Sequence, residues 1–286
     1  MEIILGKTAG FCYGVERAVS EAKKAVEENS NIDCLGEIVH NKTVVENLKK
    51  DGINFIQDVE DAKEKLIIRA HGASRKIYEN LEKRGIKIID LTCPKVLKTH
   101  TIAEKYSKEN YFIVLIGIKD HPESIGTLSF CGENSYLLQE EEEVTDLLEK
   151  IEQSKLDNIL IFAQTTYNSK KFDKICDVLK EKLNGKNVEI QKTICGATEI
   201  RQKETRELAC NVDCMIIVGD KKSSNTNKLF DISKENCKSV LLIQNANELD
   251  LNTIKNAKKI GIMAGASTPK EDIDKIIEKL RRNEND

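Results

Sequence analysis

The sequence is short of the features that mark exported, membrane-spanning and linker-rich proteins. Its 286 residues include three prolines, and no Pro/Gly/Ser-rich or low-complexity tract separates one part of the chain from another. No apolar run approaches the roughly 20 residues that span a bilayer. The first residues lack the basic segment and long apolar stretch of a secretory signal. We therefore expect a cytoplasmic protein with no membrane segment.

Two further absences narrow the function classes. The formal net charge is -3, and Lys and Arg are spread along the whole chain, so no surface for nucleic acid is expected. No G-x-G-x-x-G motif follows a strand, so the chain lacks the usual fingerprint of enzymes that bind nicotinamide or flavin cofactors. A small molecule is the expected ligand. Any redox chemistry must draw its electrons from a separate carrier.

Nine cysteines are many for a cytoplasmic chain, because disulfides rarely persist in that compartment. No C-x-x-C spacing indicates a structural zinc site. Three of the nine occupy equivalent places in a threefold repeat. Each is followed, always at the same distance along the chain, by a glycine that ends an apolar stretch, in the pairs Cys12 and Gly36, Cys93 and Gly117, and Cys195 and Gly219.

Polar residues continue the repeat at matching distances. His40, His121 and Ser223 share one offset from the three cysteines, and the hydroxyl residues Thr43, Ser124 and Thr226 share a slightly longer one. A third element is an apolar strand that ends in alanine before a polar or glycine-rich loop. Its copies are Ala70-His71-Gly72, Ala163-Gln164-Thr165 and Ala264-Gly265-Ala266. Between these repeated residues, segments with apolar residues at helical spacing alternate with short continuous apolar runs. This alternation is typical of α/β proteins.

The patterning predicts three similar α/β domains in a pseudo-threefold arrangement, at residues 1–93, 94–193 and 194–286, the last with a C-terminal helix. Ligands of parallel sheets lie beyond the carboxyl ends of the strands. Symmetry would therefore bring the three repeat cysteines together, each in a loop before a helix, where thiolate is favoured.

Three thiolates suit either zinc with an open position or a 4Fe-4S cluster with an open iron. The long separations between the cysteines favour the cluster. The remaining six cysteines have no equivalents and are predicted to be packing residues. They are Cys34, Cys131, Cys176, Cys210, Cys214 and Cys237.

Three polar sets fall at the starts of predicted helices. They are His40-Asn41-Lys42-Thr43, His121-Pro122-Glu123-Ser124 and Ser223-Ser224-Asn225-Thr226. Backbone N–H groups, hydroxyls, amides and imidazoles can hold a diphosphate there, although Ser, Thr and Asn are also ordinary helix caps. Glu123 is the only acid in the sets, so it is a candidate proton donor or a carboxylate that stabilises the helix dipole. Thr165 and Thr166 are candidates for orienting the leaving oxygen. His100 has no equivalent, and we expect it on a surface helix.

Nine segments, in order along the whole chain, resemble the 4-hydroxy-3-methylbut-2-enyl diphosphate reductase (LytB/IspH) family. They are Gly10-Phe11-Cys12-Tyr13-Gly14-Val15, Val39-His40-Asn41, Ala70-His71-Gly72, Thr92-Cys93-Pro94, His121-Pro122-Glu123, Gln164-Thr165-Thr166, Thr193-Ile194-Cys195, Ser223-Ser224-Asn225 and Ala264-Gly265-Ala266-Ser267.

The resemblance implies three α/β domains around a central [4Fe-4S] cluster, one per subunit, with Cys12, Cys93 and Cys195 as its ligands and the fourth iron open to the substrate. It implies that Glu123 relays protons to the leaving hydroxyl, with Thr165 and His121 as its catalytic neighbours. It also implies that polar side chains bind the substrate, namely His40, His71, His121, Thr165, Ser223, Ser224, Asn225 and Ser267.

The implied reaction is the last step of the methylerythritol phosphate pathway, a two-electron, two-proton reductive dehydroxylation of (E)-4-hydroxy-3-methylbut-2-enyl diphosphate. Its products are isopentenyl diphosphate, dimethylallyl diphosphate and water. The implied partners are this small-molecule substrate and an external electron donor, a ferredoxin or flavodoxin. We expect a monomer with no nucleic-acid or membrane partner. The alternatives are another three-cysteine [4Fe-4S] enzyme, such as a quinolinate synthase-like or hydro-lyase-like enzyme, and a non-enzymatic zinc- or diphosphate-binding module.

Overall fold

The computed structural model describes residues 1–28 and 31–282. Within these residues the strands are β1 (Glu2–Leu5), β2 (Ile32–Leu35), β3 (Ile53–Ile56), β4 (Lys65–Ile68), β5 (Lys87–Asp90), β6 (Phe112–Ile116), β7 (Ser135–Leu138), β8 (Asn158–Ala163), β9 (Asn187–Gln191), β10 (Cys214–Val218), β11 (Ser239–Ile243) and β12 (Lys259–Ala264). The helices are α1 (Tyr13–Glu28), α2 (Lys42–Lys50), α3 (Arg75–Lys83), α4 (Pro94–Lys108), α5 (Pro122–Leu128), α6 (Val144–Ser154), α7 (Ser169–Lys182), α8 (Gly196–Ala209), α9 (Ser224–Asn236) and α10 (Lys270–Arg282). No helix in this part of the chain is long and apolar enough to span a membrane.

The strands form three parallel sheets of four strands, and the strand order is equivalent in all three. The first sheet runs β5-β4-β2-β3, the second β9-β8-β6-β7 and the third β1-β12-β10-β11. Neighbouring strands pair in parallel throughout the described residues. The predicted α/β class, with three similar sheet units, is confirmed.

Two inner strands, one in the second sheet and one in the third, are apolar along their whole length. Strands β6 and β10 are buried at every position, as expected for parallel strands covered on both faces. Helix faces supply the cover, so each sheet has its own core clusters. The short apolar runs of the sequence at residues 112–116, 215–218 and 240–243 lie in β6, β10 and β11.

The prolines lie where helices begin. Pro94 and Pro122 are the first residues of α4 and α5, and Pro269 directly precedes α10. A fixed φ and a missing N–H suit the first turn of a helix and no later one. The predicted helix starts after the polar sets are likewise confirmed, by α2, α5 and α9.

The chain divides into two compact units. Unit 1 comprises Met1–Glu16, Val39–Asn47 and Gly196–Asp286 and contains the third sheet, whereas unit 2 comprises Arg17–Ile38 and Leu48–Cys195 and contains the first and second sheets. Strand β1 pairs with β12 in the third sheet, although it belongs to the first predicted domain. The domain boundaries near residues 93 and 194 stay a prediction.

Two of the three repeat glycines, Gly117 and Gly219, lie against hydroxyl groups of the helices that follow them. A Cβ on Gly117 would lie 2.7 Å from Ser124 Oγ, and a Cβ on Gly219 would lie 2.6 Å from Thr226 Oγ1. Neither approach leaves room for a side chain, so only glycine permits this contact between strand end and helix. The constant distance in sequence between the glycine and the hydroxyl residue is therefore explained by one packing contact, which the second and third repeats make.

Replacing Gly117 by alanine is expected to lower the free energy of unfolding by about 1–3 kcal/mol, the usual cost of extra volume in a packed site. The new methyl group would meet Ser124 Oγ at 2.7 Å and Gln164 Cβ at 3.2 Å. Adding Ser124→Ala removes the nearer atom, so the double variant should recover part of the loss. Urea unfolding of the two single variants and the double variant measures both effects. A Gly117→Ala protein as stable as the wild type would contradict the packing argument.

Candidate active site

The three repeat cysteines each lie between an edge strand and a helix. Cys12 directly precedes α1, Cys93 is the N-cap residue of α4, and Cys195 directly precedes α8. All three are partly exposed, and none forms a disulfide within the described residues. The predicted setting, a loop before a helix, is confirmed.

A backbone hydrogen bond ties each of these cysteines to the loop that follows the neighbouring strand. The N–H groups of the cysteines donate and carbonyl oxygens of the third repeat element accept. The pairs are Cys93 N to Ala70 O at 3.0 Å and Cys195 N to Thr165 O at 2.9 Å in unit 2, and Cys12 N to Ala266 O at 3.1 Å in unit 1. The same contact therefore positions the backbone of every predicted metal ligand.

The other six cysteines have a different environment. Cys34, Cys131, Cys176 and Cys214 are buried, as predicted. Burial raises the pKa of the Cys34 and Cys131 thiols to about 12, so these thiols stay protonated and are poor metal ligands. Cys237 is half-buried. The prediction is wrong for Cys210, which is exposed because it lies in the turn directly after the last residue of α8.

Glu123 and Thr165 lie together in unit 2. Thr165 donates to the Glu123 carboxylate twice, from N to Oε1 at 2.6 Å and from Oγ1 to Oε2 at 2.8 Å. Glu123 is 2% exposed, and burial raises the pKa of its carboxyl to about 7, although both hydrogen bonds from Thr165 oppose the shift. A carboxyl with that pKa is partly protonated at neutral pH. This environment favours the proton donor over the dipole-stabilising carboxylate.

Thr165 connects this acid to a predicted metal ligand. Its N–H and hydroxyl hold Glu123, and its carbonyl oxygen accepts the N–H of Cys195. The hydroxyl of the neighbouring Thr166 accepts instead from Gln164 Nε2 at 3.0 Å. Of the two threonines considered from the sequence, Thr165 is therefore the better candidate for orienting the leaving oxygen.

His71 and His121 are in contact in the same unit. Their rings meet edge to face, with centroids 5.3 Å apart. His121 also caps α5, because its Nδ1 accepts from Glu123 N at 3.1 Å. An accepting Nδ1 carries no proton, so the N–H of the neutral ring is at Nε2. His121 therefore offers a hydrogen-bond donor at Nε2 while its other nitrogen serves the helix.

In unit 1, Ser267 and His40 lie together. Ser267 Oγ donates to the backbone oxygen of His40 at 2.9 Å. Ser267 directly follows Ala266, whose carbonyl oxygen accepts the N–H of Cys12. Two residues predicted to bind the diphosphate are thus placed beside the anchor of a predicted metal ligand.

The first turn of α9 holds the third polar set. Ser223 is a helix cap, since its Oγ accepts from Thr226 N at 3.3 Å, and Ser224 is buried beside it. Asn225 differs, because it is 4% exposed and neither its Oδ1 nor its Nδ2 has a hydrogen bond within the described residues. A buried amide without partners costs free energy. Asn225 is therefore suited to a polar ligand.

Two residues have roles that the sequence did not reveal. His100, expected on a surface helix, is 5% exposed on α4 and stacks on Phe130; burial lowers the pKa of its imidazole to about 4. The cause of the wrong prediction is the second sheet's cluster, against which this face of α4 packs. Gln164 is also buried, and its Oε1 accepts from Ile118 N at 2.9 Å, which joins the ends of β6 and β8. Its only sequence signal was its place in the third repeat element.

The donor set fits an iron-sulfur cluster. Cysteine thiolates are the usual ligands of such clusters. Cys12, Cys93 and Cys195 form no disulfide within the described residues and lie in equivalent loops, each with its backbone fixed by a hydrogen bond. Fold and site together define the class: an α/β enzyme with three equivalently held thiols and a buried carboxyl whose pKa is raised.

Comparison with known proteins identifies the family. The LytB protein family model matches residues 3–281. Over 287 residues the chain is 40% identical to the 4-hydroxy-3-methylbut-2-enyl diphosphate reductase of Thermoanaerobacter sp. (strain X514), covering 98% of this chain and 97% of the relative. It is 39% identical over 283 residues to the protein of the same name from Clostridioides difficile (strain 630), covering 97% and 98%. The chain belongs to the LytB family.

Solved structures agree with this assignment. The E-1-hydroxy-2-methyl-but-2-enyl-4-diphosphate reductase from Plasmodium falciparum has a TM-score of 0.88 at 32% identity, covering 98% of this chain and 87% of that one. A structure of (E)-4-hydroxy-3-methyl-but-2-enyl diphosphate reductase, described as the terminal enzyme of the non-mevalonate pathway, has a TM-score of 0.71 at 38% identity, covering 99% and 100%. Both similarities extend over nearly the whole chain.

The buried carboxyl of Glu123 should make stability depend on pH. Its pKa is raised from 4.5 to about 7 in the folded state, so the unfolded chain ionises first as pH rises. The free energy of unfolding, relative to a Glu123→Gln variant, should then fall by up to about 3 kcal/mol between pH 4.5 and pH 7. Urea unfolding of both proteins across this range measures the difference. Parallel pH profiles would show that the carboxyl has no raised pKa.

Proposed function

We propose that this chain reduces (E)-4-hydroxy-3-methylbut-2-enyl diphosphate to isopentenyl diphosphate and dimethylallyl diphosphate, with release of water. The reaction consumes two electrons and two protons and breaks the bond between carbon and the allylic hydroxyl. Membership of the LytB family supports the reaction. The observation that carries it in the structure is the buried Glu123, held by Thr165, which in turn holds Cys195.

Cys12, Cys93 and Cys195 hold one [4Fe-4S] cluster per subunit in this proposal. Their equivalent backbone hydrogen bonds and their positions before three helices support the assignment. When bound, the cluster supplies Lewis-acidic iron and a route for electrons to the substrate. The contribution of the chain is to fix the three cysteines in place through these backbone hydrogen bonds.

The diphosphate is bound by polar groups at helix starts and in strand-end loops. The residues are His40, His71, His121, Thr165, Ser223, Ser224, Asn225 and Ser267. Three features support this set: the N–H at His121 Nε2, the unsatisfied buried amide of Asn225 and the N-terminus of α9, whose dipole attracts anions. Binding energy from the diphosphate, which does not react, then positions the hydroxyl that does.

Glu123 acts as the general acid. In its protonated form it gives a proton to the leaving hydroxyl oxygen, so that water departs rather than hydroxide. Both carboxyl oxygens are held by Thr165, which fixes the plane of the group. Because the pKa of this carboxyl is about 7, the active fraction falls as pH rises above that value.

The electrons come from an external ferredoxin or flavodoxin, since the chain has no nicotinamide or flavin fingerprint. A monomer in the cytoplasm, built from three α/β domains with boundaries near residues 93 and 194, completes the proposal. The alternative enzymes, of the quinolinate synthase-like or hydro-lyase-like kind, would hold a cluster but leave the allylic diphosphate unchanged.

The test is anaerobic purification, quantification of iron and sulfide, and incubation with the allylic diphosphate and a strong one-electron donor. We expect about four irons per chain, as in a [4Fe-4S] cluster, and both isoprenoid diphosphates as products. Iron without products would favour the alternative enzymes. A colourless protein without iron would favour a zinc- or diphosphate-binding module and would contradict the proposal.

Glu123→Gln is expected to lower turnover by roughly 10²–10⁴-fold, the usual contribution of a general acid. Glutamine keeps the shape of the side chain but has no acidic proton, so iron content should stay at the wild-type value. Glu133→Gln, at an exposed acid, is the matched control and should leave turnover unchanged. Wild-type turnover in Glu123→Gln would remove this residue from the mechanism.

Cys93→Ser should lose cluster iron, whereas Cys34→Ser should keep it. Serine replaces the thiolate by a poor iron ligand at Cys93, while Cys34 is a fully buried thiol whose pKa burial raises to about 12. Iron and sulfide per chain, measured after anaerobic purification, distinguish the two variants. Equal iron content in both variants would contradict the assignment of the repeat cysteines as the cluster ligands.

A further inference from the structure

Two arginines outside the proposed reaction hydrogen-bond the loops that precede two of the three predicted ligands. Arg17 lies on α1, five residues after Cys12, and Arg201 lies on α8, six residues after Cys195. An arginine on an amphipathic helix is ordinarily a solvated residue. Neither of these two is exposed.

Arg201 binds the loop that leads to Cys12, within unit 1. It donates from Nε to Thr8 O at 2.8 Å and from Nη2 to Gly10 O at 2.8 Å. Gly10 is two residues before the cysteine, and Arg201 is 3% exposed. Two parallel hydrogen bonds from one guanidinium fix both the position and the orientation of the loop.

The acid one turn further along α8 binds the same loop from its N–H groups. Glu204 accepts from Thr8 N at 2.9 Å and from Lys7 N at 2.5 Å. Although burial opposes the shift, these bonds and that from the Thr8 hydroxyl hold the pKa of Glu204 below its usual value. The loop is thus held by a cation at its carbonyls and by an anion at its amides.

Arg17 makes the corresponding contact in unit 2. Its Nη2 donates at 2.8 Å to the backbone oxygen of Thr92, the residue directly before Cys93. Asp90 holds the same residue from the other side by accepting from Thr92 N at 2.9 Å. An acid and an arginine again fix a loop before a predicted ligand.

The loop before Cys195 is held by an uncharged residue. Thr193 donates its hydroxyl to Ala163 O and accepts from Ala163 N at 2.9 Å. The three predicted ligands therefore differ in charge environment, although their folds are equivalent. Charged residues are not needed merely to hold such a loop in place, since a threonine does so before Cys195.

We infer that Arg17 and Arg201 are positioning residues for the iron-sulfur cluster, which fix the loops of Cys93 and Cys12 and whose positive charges favour the reduced state of the cluster. The inference rests on the proposed function, because it requires a cluster at these cysteines. A cation near thiolates stabilises negative charge. Hydrogen bonding and charge around the ligands are also what set the reduction potential of a cluster.

The test uses the full chain, purified without oxygen, as wild type, Arg201→Gln, Arg201→Lys and Arg206→Gln. Arg206 lies on the same helix, makes no side-chain hydrogen bond to either loop among the described residues, and is the matched control. Two quantities are measured: the rate at which a chelator removes iron and the midpoint reduction potential in a redox titration. Neither measurement requires substrate.

Arg201→Gln should lose iron about tenfold faster, the factor that corresponds to one charge-assisted hydrogen bond, and its potential should become more negative. Arg201→Lys keeps the charge but not the two parallel bonds, so it should lose iron faster while its potential stays near the wild-type value. Arg17→Gln should change both quantities in the same direction as Arg201→Gln. The Arg206→Gln control should match the wild type.

Glu204→Gln separates charge from simple loosening of the loop, because it weakens the same loop but removes a negative charge. Its potential should move in the opposite direction to that of Arg201→Gln. Equal shifts in both variants, or an unchanged potential in Arg201→Gln, would overturn the inference. If the wild type itself held no iron, the proposed function would fail instead, so the two failures are distinguishable.

Discussion

The structure depends on one backbone contact that is made three times. Where an edge strand of each sheet ends, a cysteine N–H donates to the loop after the neighbouring strand, through Ala70, Thr165 or Ala266. The contact is possible because the strands are parallel, so their carboxyl ends lie at one edge of the sheet. The loop that receives it also carries a residue that the sequence predicts to be functional. Moving either partner would displace a predicted metal ligand together with a predicted substrate-binding residue or with Thr165, which holds Glu123.

The properties of the buried polar groups depend on how many hydrogen bonds compensate each of them for the loss of solvent. Glu123 is deeply buried and has two donors from Thr165, so desolvation raises its pKa only to about 7 and leaves a group that exchanges protons at neutral pH. Asn225 is the opposite case, a buried amide to which the described part of the chain gives no partner. The protein thus supplies hydrogen-bond partners to one buried polar group and, within the described residues, none to the other.

The sequence alone could predict those contacts that require particular residue types at a constant separation along the chain. Gly117 and Ser124 are found from sequence because their contact constrains both residue types at a fixed offset. The pairing of β1 with β12 could not be found in this way, since nothing local in the first strand specifies a partner near the other end of the chain. Arg201 was missed because a charged residue in a helix reads as solvated until the loop it binds is known. His100 was misplaced for the same reason: burial is a tertiary property.

Helix capping and ligand binding are not exclusive alternatives at this site. His121 caps α5 through Nδ1, and that bond is what places the proton of the neutral ring at Nε2. Ser223 caps α9 and so keeps the first turn in place, with Asn225 buried two residues further on. Without the caps the helix starts would fray, and the polar groups of the first turns would lose their orientation. The ordinary structural role of these residues is therefore a condition of the proposed functional one, which is why spacing alone could not separate the two.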